Sequence, residues 1–194
     1  MLDEKLINEI KGRVTAFIKE GVIRKEKEKK FVEFFLNNAK NSLEAAKLLF
    51  DVSTKNNLRN SLGFTDFNGF LWVINASYYS MFYMARALLE SEGIKIKTEL
   101  SIHAFTFDAV VYYFYLTSKL QKKLIEDFSD AREEASEILG KEKARELIED
   151  YYHEKKKRAT FTYEMGAIAM QNKANTSLER AKRFSEEIRK MIEL

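Results

Sequence analysis

Cysteine and proline are both missing from this 194-residue sequence, and only seven residues are glycine. Without cysteine, the chain has no disulfide bond, no thiolate metal site and no thiol catalysis. Proline breaks helices and glycine favours turns, so this composition favours long helices joined by few structured loops. The length fits one domain whose hydrophobic core needs no metal or disulfide support.

The sequence also lacks a long apolar run and a strong net charge. No run approaches the ~20 apolar residues that a membrane span needs. Residues 1–20 have no uninterrupted apolar core of the signal-peptide type, so a cytoplasmic location is expected. The chain has 33 Lys and Arg against 30 Asp and Glu, a net charge of +3. This balance is not that of a general nucleic-acid binder, so any basic site must be local.

Apolar residues recur at steps of three and four along most of the chain, which predicts an all-α antiparallel bundle of five or six helices. The first helix is expected over residues 2–19, and the second follows the charged stretch 24–30 and reaches about Val52. The Asn-rich residues 53–68 are typical of a loop. The third helix, about residues 69–90, is the most apolar and is expected at the centre.

The later helices are predicted from aromatic runs and capping patterns. Residues 101–116 include the run VVYYFY, which could form a strand by itself. We interpret it as helix because the pattern shows no partner strand. Ser118 with Gln121 and Thr176 with Glu179 have the spacing of capping boxes, which predicts that a fifth and a last helix begin there. Gly140 is expected to interrupt the charged region between them.

Three motifs give the chain a resemblance to a known family. The central helix contains NASYYSMFYMARALL (residues 75–89), Gly93 and Ser101-Ile102-His103 follow, and Arg158-Ala159-Thr160-Phe161-Thr162-Tyr163 lies further on. These resemble the HEPN family, which shows Ala-x-Tyr-Tyr-x-Met-Phe-x-x-Ala-Arg-Ala-Leu-Leu, a glycine turn and Ser/Thr-x-His. An Arg-x(4–6)-His motif follows, replaced in one branch by Arg-x4-Tyr within an Arg-Asn-x-Ala-Asp-Tyr-like run.

The resemblance covers about residues 31–194, which predicts a HEPN-like bundle preceded by a helical extension over residues 1–30. Three features depart from the family pattern. The catalytic motif has no histidine, Thr162 stands where the family has Asp, and the region 130–150 is longer than usual.

The resemblance implies a domain that binds the phosphate of a nucleotide or RNA at a dimer interface. It also implies one half of a toxin–antitoxin pair whose other half is a nucleotidyltransferase. The phosphate-binding residues would be Arg158, Lys157 and Arg86, and no cofactor is expected. Guanidinium groups suit this role because they donate two hydrogen bonds to phosphate oxygens. A solvated helix-end Arg158, and an Arg86 paired with a buried acid, are the structural alternatives.

Two other functions remain open. One is a metal-independent ribonuclease in which Arg158 binds the phosphate and Tyr163 transfers a proton. Tyrosine has an ordinary pKa of about 10, which makes it a poor base at pH 7. On a straight helix these two side chains also point about 140° apart, so a shared site needs a helix end, a bend or a second chain. The other function is a purely structural dimerisation domain.

The two histidines raise the question of a metal site. Asp150 with His153 and Glu99 with His103 have helical i, i+3 and i, i+4 spacings. A di-iron bundle needs two Glu-x-x-His elements and two further glutamates, and the sequence offers one imperfect copy. No metal is therefore predicted.

A homodimer is predicted from aromatic residues that lie off the inward helix stripes. Exposed aromatic patches commonly mark interfaces. These residues are Trp72, Tyr79, Tyr83, Tyr112 and Tyr113.

Overall fold

The computed structural model describes residues 3–97, 101–149 and 160–193, and it describes no side chains in 139–149 and 160–169. The described residues form seven α-helices, one π-helical turn and a two-stranded sheet. The all-α bundle predicted from periodicity is confirmed, with more helices than expected. The elements are α1 (Glu4–Lys19), β1 (Ile23–Lys25), α2 (Val32–Thr54), α3 (Asn56–Ser61), α4 (Phe70–Ser91), β2 (Ile94–Ile96), α5 (Ile102–Val110), the π-turn (Val111–Tyr115), α6 (Lys122–Glu149) and α7 (Thr160–Ile192).

Helix α4 is the centre of the bundle, as predicted. It is apolar on nearly all sides and packs most extensively against α2 and α7. A helix that is hydrophobic all round is stable only when neighbours cover it. Met81 and Leu88 of α4 join Phe107, Phe128 and Phe184 in the main core. Helix α4 therefore fixes the position of the side chains that it presents to α5 and α6.

Helix α1 and strand β1, from the first thirty residues, pack against this bundle. Asp3 caps α1 by accepting a hydrogen bond from the Leu6 N–H at 2.8 Å. Ile10 and Val14 are fully buried in the same core cluster as α4. Strand β1 then pairs antiparallel with β2, which places Ile23 opposite Ile96. The extension predicted for residues 1–30 thus contains a strand as well as a helix.

Gly93 ties the sheet to the end of α4. Its φ is +74°, and a Cβ built there would lie 2.1 Å from the Glu26 carbonyl oxygen. The Glu26 N–H also donates to the Gly93 carbonyl at 2.8 Å. Only glycine fits both the backbone conformation and the close approach of these two backbone segments.

Two segments differ from the sequence expectation for residues 53–68. Helix α2 continues to Thr54, and Asn56–Ser61 forms the short helix α3 instead of a loop. The guanidinium of Arg59 explains this, since it donates to the Ser53 carbonyl at 3.4 Å and to Asn56 Oδ1 at 2.6 Å. Contacts between neighbouring residues overcome the low helix propensity of asparagine here.

The two predicted capping boxes are wrong. Ser118 has a φ of +58°, and α6 begins four residues later, at Lys122. Thr176 lies inside α7, where its hydroxyl donates to the Asn172 carbonyl at 3.0 Å. This bond satisfies the hydroxyl without ending the helix. Gly140 does not interrupt α6 either, because a helix tolerates one glycine at a cost of about 1 kcal/mol.

The aromatic run over residues 110–115 is helical, as predicted. It begins at the end of α5 and continues as the π-turn, in which Val111 and Phe114 are buried. The two strands of the sheet lie elsewhere, in segments that the sequence pattern did not reveal. None of the helices in the described ranges is long and apolar enough to cross a membrane.

Helices α6 and α7 are joined by a group of ion pairs that we call the α6–α7 seam. Asp127 is fully buried and accepts from Arg183 Nη2 at 2.5 Å, with Lys123 Nζ at 3.1 Å. Arg180 donates to Asp130 at 3.0 Å and to Glu134 at 2.8 Å. Every arginine in the seam faces at least one carboxylate.

Candidate functional site

A pocket of about 710 Å³ opens between α1, α4, α5 and α6. We call it the polar pocket, because several charged and hydrogen-bonding groups face it. These groups include Arg13, Tyr78, Tyr79, His103, Asp108 and Arg132.

His103 is held by aromatic rings of the central helix. Its Nδ1 lies 2.7 Å from the Tyr78 hydroxyl, a hydrogen bond between α5 and α4. The Phe82 ring lies 4.2 Å from the imidazole, and the Tyr79 ring meets it edge-on at 5.7 Å. Residues 78, 79 and 82 share one face of α4 because helical neighbours recur at three and four residues. The imidazole therefore has a fixed position and one bonded nitrogen.

The charge states of Tyr78 and His103 follow from their surroundings. Burial, followed by the charges of Arg132 and Arg86, lowers the pKa of His103. Burial also raises the pKa of the Tyr78 hydroxyl, against the opposing charge of Arg132. Both groups are therefore neutral near pH 7. In one tautomer Tyr78 donates to Nδ1, and Nε2–H is a donor. In the other, Nδ1–H donates to Tyr78, and Nε2 is a proton acceptor.

Arg132 is the cation that the pocket leaves uncompensated. Its guanidinium lies over the Phe107 ring, 4.4 Å from the centroid. Among the residues that the structure describes, it takes part in no ion pair. Glu133 also lines the pocket but is exposed to solvent.

Arg13 differs, because its Nε and Nη2 donate to the two Asp108 oxygens at 2.7 and 3.0 Å. The hydrogen bond to Asp108 raises the pKa of Arg13. The Asp108 carboxylate, only 6% exposed, is thereby neutralised within the pocket wall. Of the two arginines that line the pocket, Arg132 is the one without a carboxylate partner among the described residues.

The predicted phosphate-binding set is only partly described. Arg158 and Lys157 lie outside the described residues, and Tyr163 is in α7 but its side chain is not described. Arg86 lies in a second pocket of about 370 Å³, between α2, α4 and the sheet. The described part of the chain therefore neither brings these predicted residues together nor separates them.

Arg86 lies over the Phe35 ring, 4.9 Å from the centroid, and burial lowers its pKa. The alternative interpretation paired Arg86 with a buried acid. Glu90 is the nearby acid, but its Oε1 accepts instead from Lys95 and from the Phe31 N–H, the latter at 3.0 Å. In the described ranges Arg86 takes part in no ion pair.

The metal-ligand spacings are not completed in the described part of the chain. Glu99, Asp150 and His153 lie outside it, and within it no group of three or more His, Asp or Glu is placed to hold a metal ion. His103 has Tyr78 as its partner instead.

Sequence reasoning missed Arg132, although a signal was present. Phe128, Ala131 and Ala135 are buried at steps of three and four, so the stripe beside Arg132 contains small residues. Alanines on a buried stripe leave space beside a neighbouring long side chain. The surrounding Glu and Asp residues instead suggested a solvated charged face.

The aromatic residues predicted to form a dimer interface have different environments. Trp72 is 56% exposed, whereas the other four are half-buried, with Tyr79 lining the polar pocket.

Neither a protein-family model nor a curated protein matches this chain. The function therefore has to be argued from the pocket itself.

Proposed function

We propose that this chain is a HEPN-like helical domain that binds the phosphate of a nucleotide or of RNA in the polar pocket. The observation that carries the proposal is Arg132, a half-buried guanidinium with no carboxylate partner among the described residues. Taking a charge out of water is unfavourable unless an opposite charge or hydrogen bonds compensate it. A phosphate supplies both, through paired N–H···O bonds.

Two further features support an anionic ligand with an aromatic part. His103 can donate an N–H from its free nitrogen while Tyr78 holds the other. Tyr79 is half-buried at the pocket wall, so part of its ring is open to stack on a nucleobase. Phosphate on Arg132 and base on Tyr79 would together account for a nucleotide.

The motif behind the family resemblance matches the sequence at Arg132 in two of its five defined positions and lacks the tyrosine there. The run Arg132-Glu133-Glu134-Ala135 keeps the Arg and the Ala of the Arg-Asn-x-Ala-Asp-Tyr pattern, with Ser136 and Glu137 in place of Asp and Tyr. Tyr78 and His103, which belong to the other two family elements, line the same pocket. Because Arg132 shares the pocket with these two residues, we propose it as the phosphate-binding arginine ahead of Arg158.

As part of this proposal, the protein is a cytoplasmic homodimer paired with a nucleotidyltransferase antitoxin. The exposed Trp72 ring supports a protein interface, because large exposed aromatics are enriched there. Light scattering that gives only the monomer mass of 22.7 kDa would contradict the dimer.

The test is phosphate binding by the Arg132→Ala variant, measured by calorimetry with adenosine monophosphate and with inorganic phosphate. We expect at least a tenfold loss of affinity, because charge-assisted hydrogen bonds contribute about 1.5–3 kcal/mol each. The melting temperature should fall only slightly, since Arg132 makes no ion pair within the described residues and its contact with the Phe107 ring contributes about 0.5–1 kcal/mol. Arg189→Ala is the matched control, since this exposed arginine has one ion pair among the described residues, with Glu193 at 3.8 Å. Arg158→Ala is measured alongside, and equal affinity for wild type and Arg132→Ala would refute the proposal.

A second candidate is metal-independent RNA cleavage, and one observation favours it. His103 and Arg132 line the same pocket, so a proton acceptor and a phosphate-binding cation lie together. In the tautomer with Nδ1–H bonded to Tyr78, Nε2 can accept the proton of an RNA 2′-hydroxyl as its oxygen attacks the adjacent phosphorus. The bond to the 5′-oxygen then breaks, and that oxygen takes a proton from solvent water, while the proton on His103 returns to solvent. His103 takes over the role first assigned to Tyr163.

A further inference from the structure

Positive charge is concentrated on the two-stranded sheet. Residues 22–30 and 94–97 contain seven Lys and Arg against two Glu, a surplus of five. The whole chain has a net charge of only +3. The rest of the sequence is therefore slightly acidic, and the sheet is the local basic surface that a near-neutral composition conceals. A local surplus of this kind is the electrostatic footprint of a polyanion-binding site.

The strand register places like charges together. Arg24 lies directly opposite Lys95, an arrangement that costs stability in an antiparallel pair. Two carboxylates lie near them: Glu90 of α4 pairs with Lys95, and Glu26 directly follows β1. A hydrogen bond from Lys97 lowers the pKa of Glu26, and the charges of Lys95 and Arg24 add to this effect. Lys25, Lys27 and Lys29 remain exposed beside this group with no ion pair among the described residues.

Exposed aromatic rings lie next to these cations. Phe31 is 55% exposed and Phe34 is 56% exposed, with their rings in edge contact at 6.5 Å. Lys95 Nζ lies 5.9 Å from the centroid of the Phe31 ring. The row of rings continues through Phe35 to Tyr83, 6.5 Å apart. Interleaved cations and open aromatic faces are what single-stranded nucleic acids bind, through phosphates and stacked bases.

This surface and the polar pocket lie on one face of α4. Tyr79, Tyr83 and Arg86 follow one another at four and three residues, so they share that face. Helical rise places Arg86 about 10 Å beyond Tyr79. Arg86 lines the second pocket, which the sheet also borders. A strand could therefore pass from the polar pocket over Tyr83 to the sheet without leaving this face.

We propose that the sheet, together with Phe31 and Phe34, binds single-stranded nucleic acid, so that the ligand of this protein is a strand and not a mononucleotide. The path of the strand from the polar pocket rests on the proposed function, whereas the sheet surface rests on its own charges and rings. Bases must be unstacked to lie on Phe31 and Phe34, which favours single strands over duplexes. The lysines would hold the phosphates through charge alone.

The probes are a 12-nucleotide uridine RNA and the matching deoxyuridine DNA, whose dissociation constants are measured by fluorescence anisotropy over a range of salt concentrations. For single strands, each phosphate contact contributes about 0.7 to the steepness with which the logarithm of the binding constant falls against the logarithm of the salt concentration. The triple variant Lys25→Ala, Lys27→Ala, Lys29→Ala should therefore lower this slope by about 2. The control triple Lys40→Ala, Lys47→Ala, Lys173→Ala removes the same charge from exposed positions elsewhere and should leave the slope unchanged.

The stacking contribution is tested separately on helix α2. Phe34→Ala should weaken binding of either oligonucleotide about tenfold, because a stacked base loses its aromatic partner. Leu48→Ala is the control, since Leu48 is also an exposed apolar residue of α2, at 58%. RNA bound better than DNA would indicate contacts to the 2′-hydroxyl.

Equal slopes for the two triple variants would overturn the proposal, as would tighter binding of a duplex of the same length. Sheet-dependent binding to anionic vesicles or an acidic peptide, without oligonucleotide binding, would replace nucleic acid with that partner. Strand binding that survives Arg132→Ala but is lost in the sheet triple variant would support the sheet and refute the polar pocket. The opposite pattern would support the pocket alone.

Discussion

The basic side chains in and around helix α6 have two different electrostatic environments. In the α6–α7 seam, buried Asp127 faces Arg183, Arg180 and Lys123, so the anion is enclosed and the cations surround it. In the polar pocket, Arg132 of the same helix faces a cavity with neutral His103 and Tyr78, and among the described residues no carboxylate pairs with it. The seam charges hold two helices together, whereas the pocket charge has no such partner in the described part of the chain.

The strongest test of this contrast removes the centre of the seam. Asp127→Ala should lower the free energy of unfolding by about 2–3 kcal/mol, because the charged hydrogen bond from Arg183 is lost and Lys123 and Arg180 lose an ion-pair partner. Phosphate affinity should not change, since the pocket does not use Asp127. Urea denaturation and calorimetry with inorganic phosphate measure the two effects.

Asp130→Ala is the control for that change, because Asp130 also binds Arg180 but is 48% exposed. Exposed pairs contribute less than about 1 kcal/mol, so this variant should unfold almost like the wild type. Equal losses from both substitutions would mean that burial of Asp127 does not set the strength of the seam.

A second test places a carboxylate beside the pocket arginine, as carboxylates lie beside the arginines of the α6–α7 seam. Ser136 lies one helical turn after Arg132 and lines the same pocket, so Ser136→Glu places a carboxylate beside the guanidinium. We expect about a tenfold loss of adenosine monophosphate affinity, with a stability change of only about 0.2–0.5 kcal/mol. Ser136→Gln keeps the size without the charge and should bind normally. Unchanged affinity in Ser136→Glu would show that the anion does not use Arg132.

The third test concerns the pH dependence of RNA cleavage in EDTA. If His103 is the proton acceptor, the rate should rise with pH through a midpoint below 6.5, because burial, Arg132 and Arg86 lower the pKa of His103. Arg86→Gln removes one of these charges from outside the pocket and should move the midpoint upward. Cleavage should disappear in His103→Gln. A rate that rises only towards pH 10 and is lost in Tyr163→Phe would assign proton transfer to Tyr163 instead.

The sequence predicted the central helix because a continuous apolar and aromatic pattern leaves only one place for it. It did not predict the sheet, since each strand has three residues and Ile23 pairs with Ile96, far along the chain. Capping spacings at Ser118 and Thr176 failed for a related reason. The same Ser/Thr spacing also occurs in turns and inside helices, where the hydroxyl bonds to a carbonyl.

The candidate site was predictable in part. Tyr78 and His103 belonged to motifs that the sequence singled out, but their hydrogen bond joins residues 25 positions apart and follows from packing. Arg132 was hidden in a run of acidic residues. Its importance depends on where those acids point, and the seam takes up Asp130 and Glu134 on the side of α7.

The contact at Gly93 has a consequence for the order in which the chain folds. Helices form from residues close in sequence. Strand β1 can pair only after β2 has been made and brought near, because Ile23 pairs with Ile96, 73 positions later. Closing so long a loop carries an entropy cost that the helices avoid. During synthesis, β1 must therefore wait until α4 and β2 have emerged, so the basic surface is assembled only after about the first half of the chain has been made.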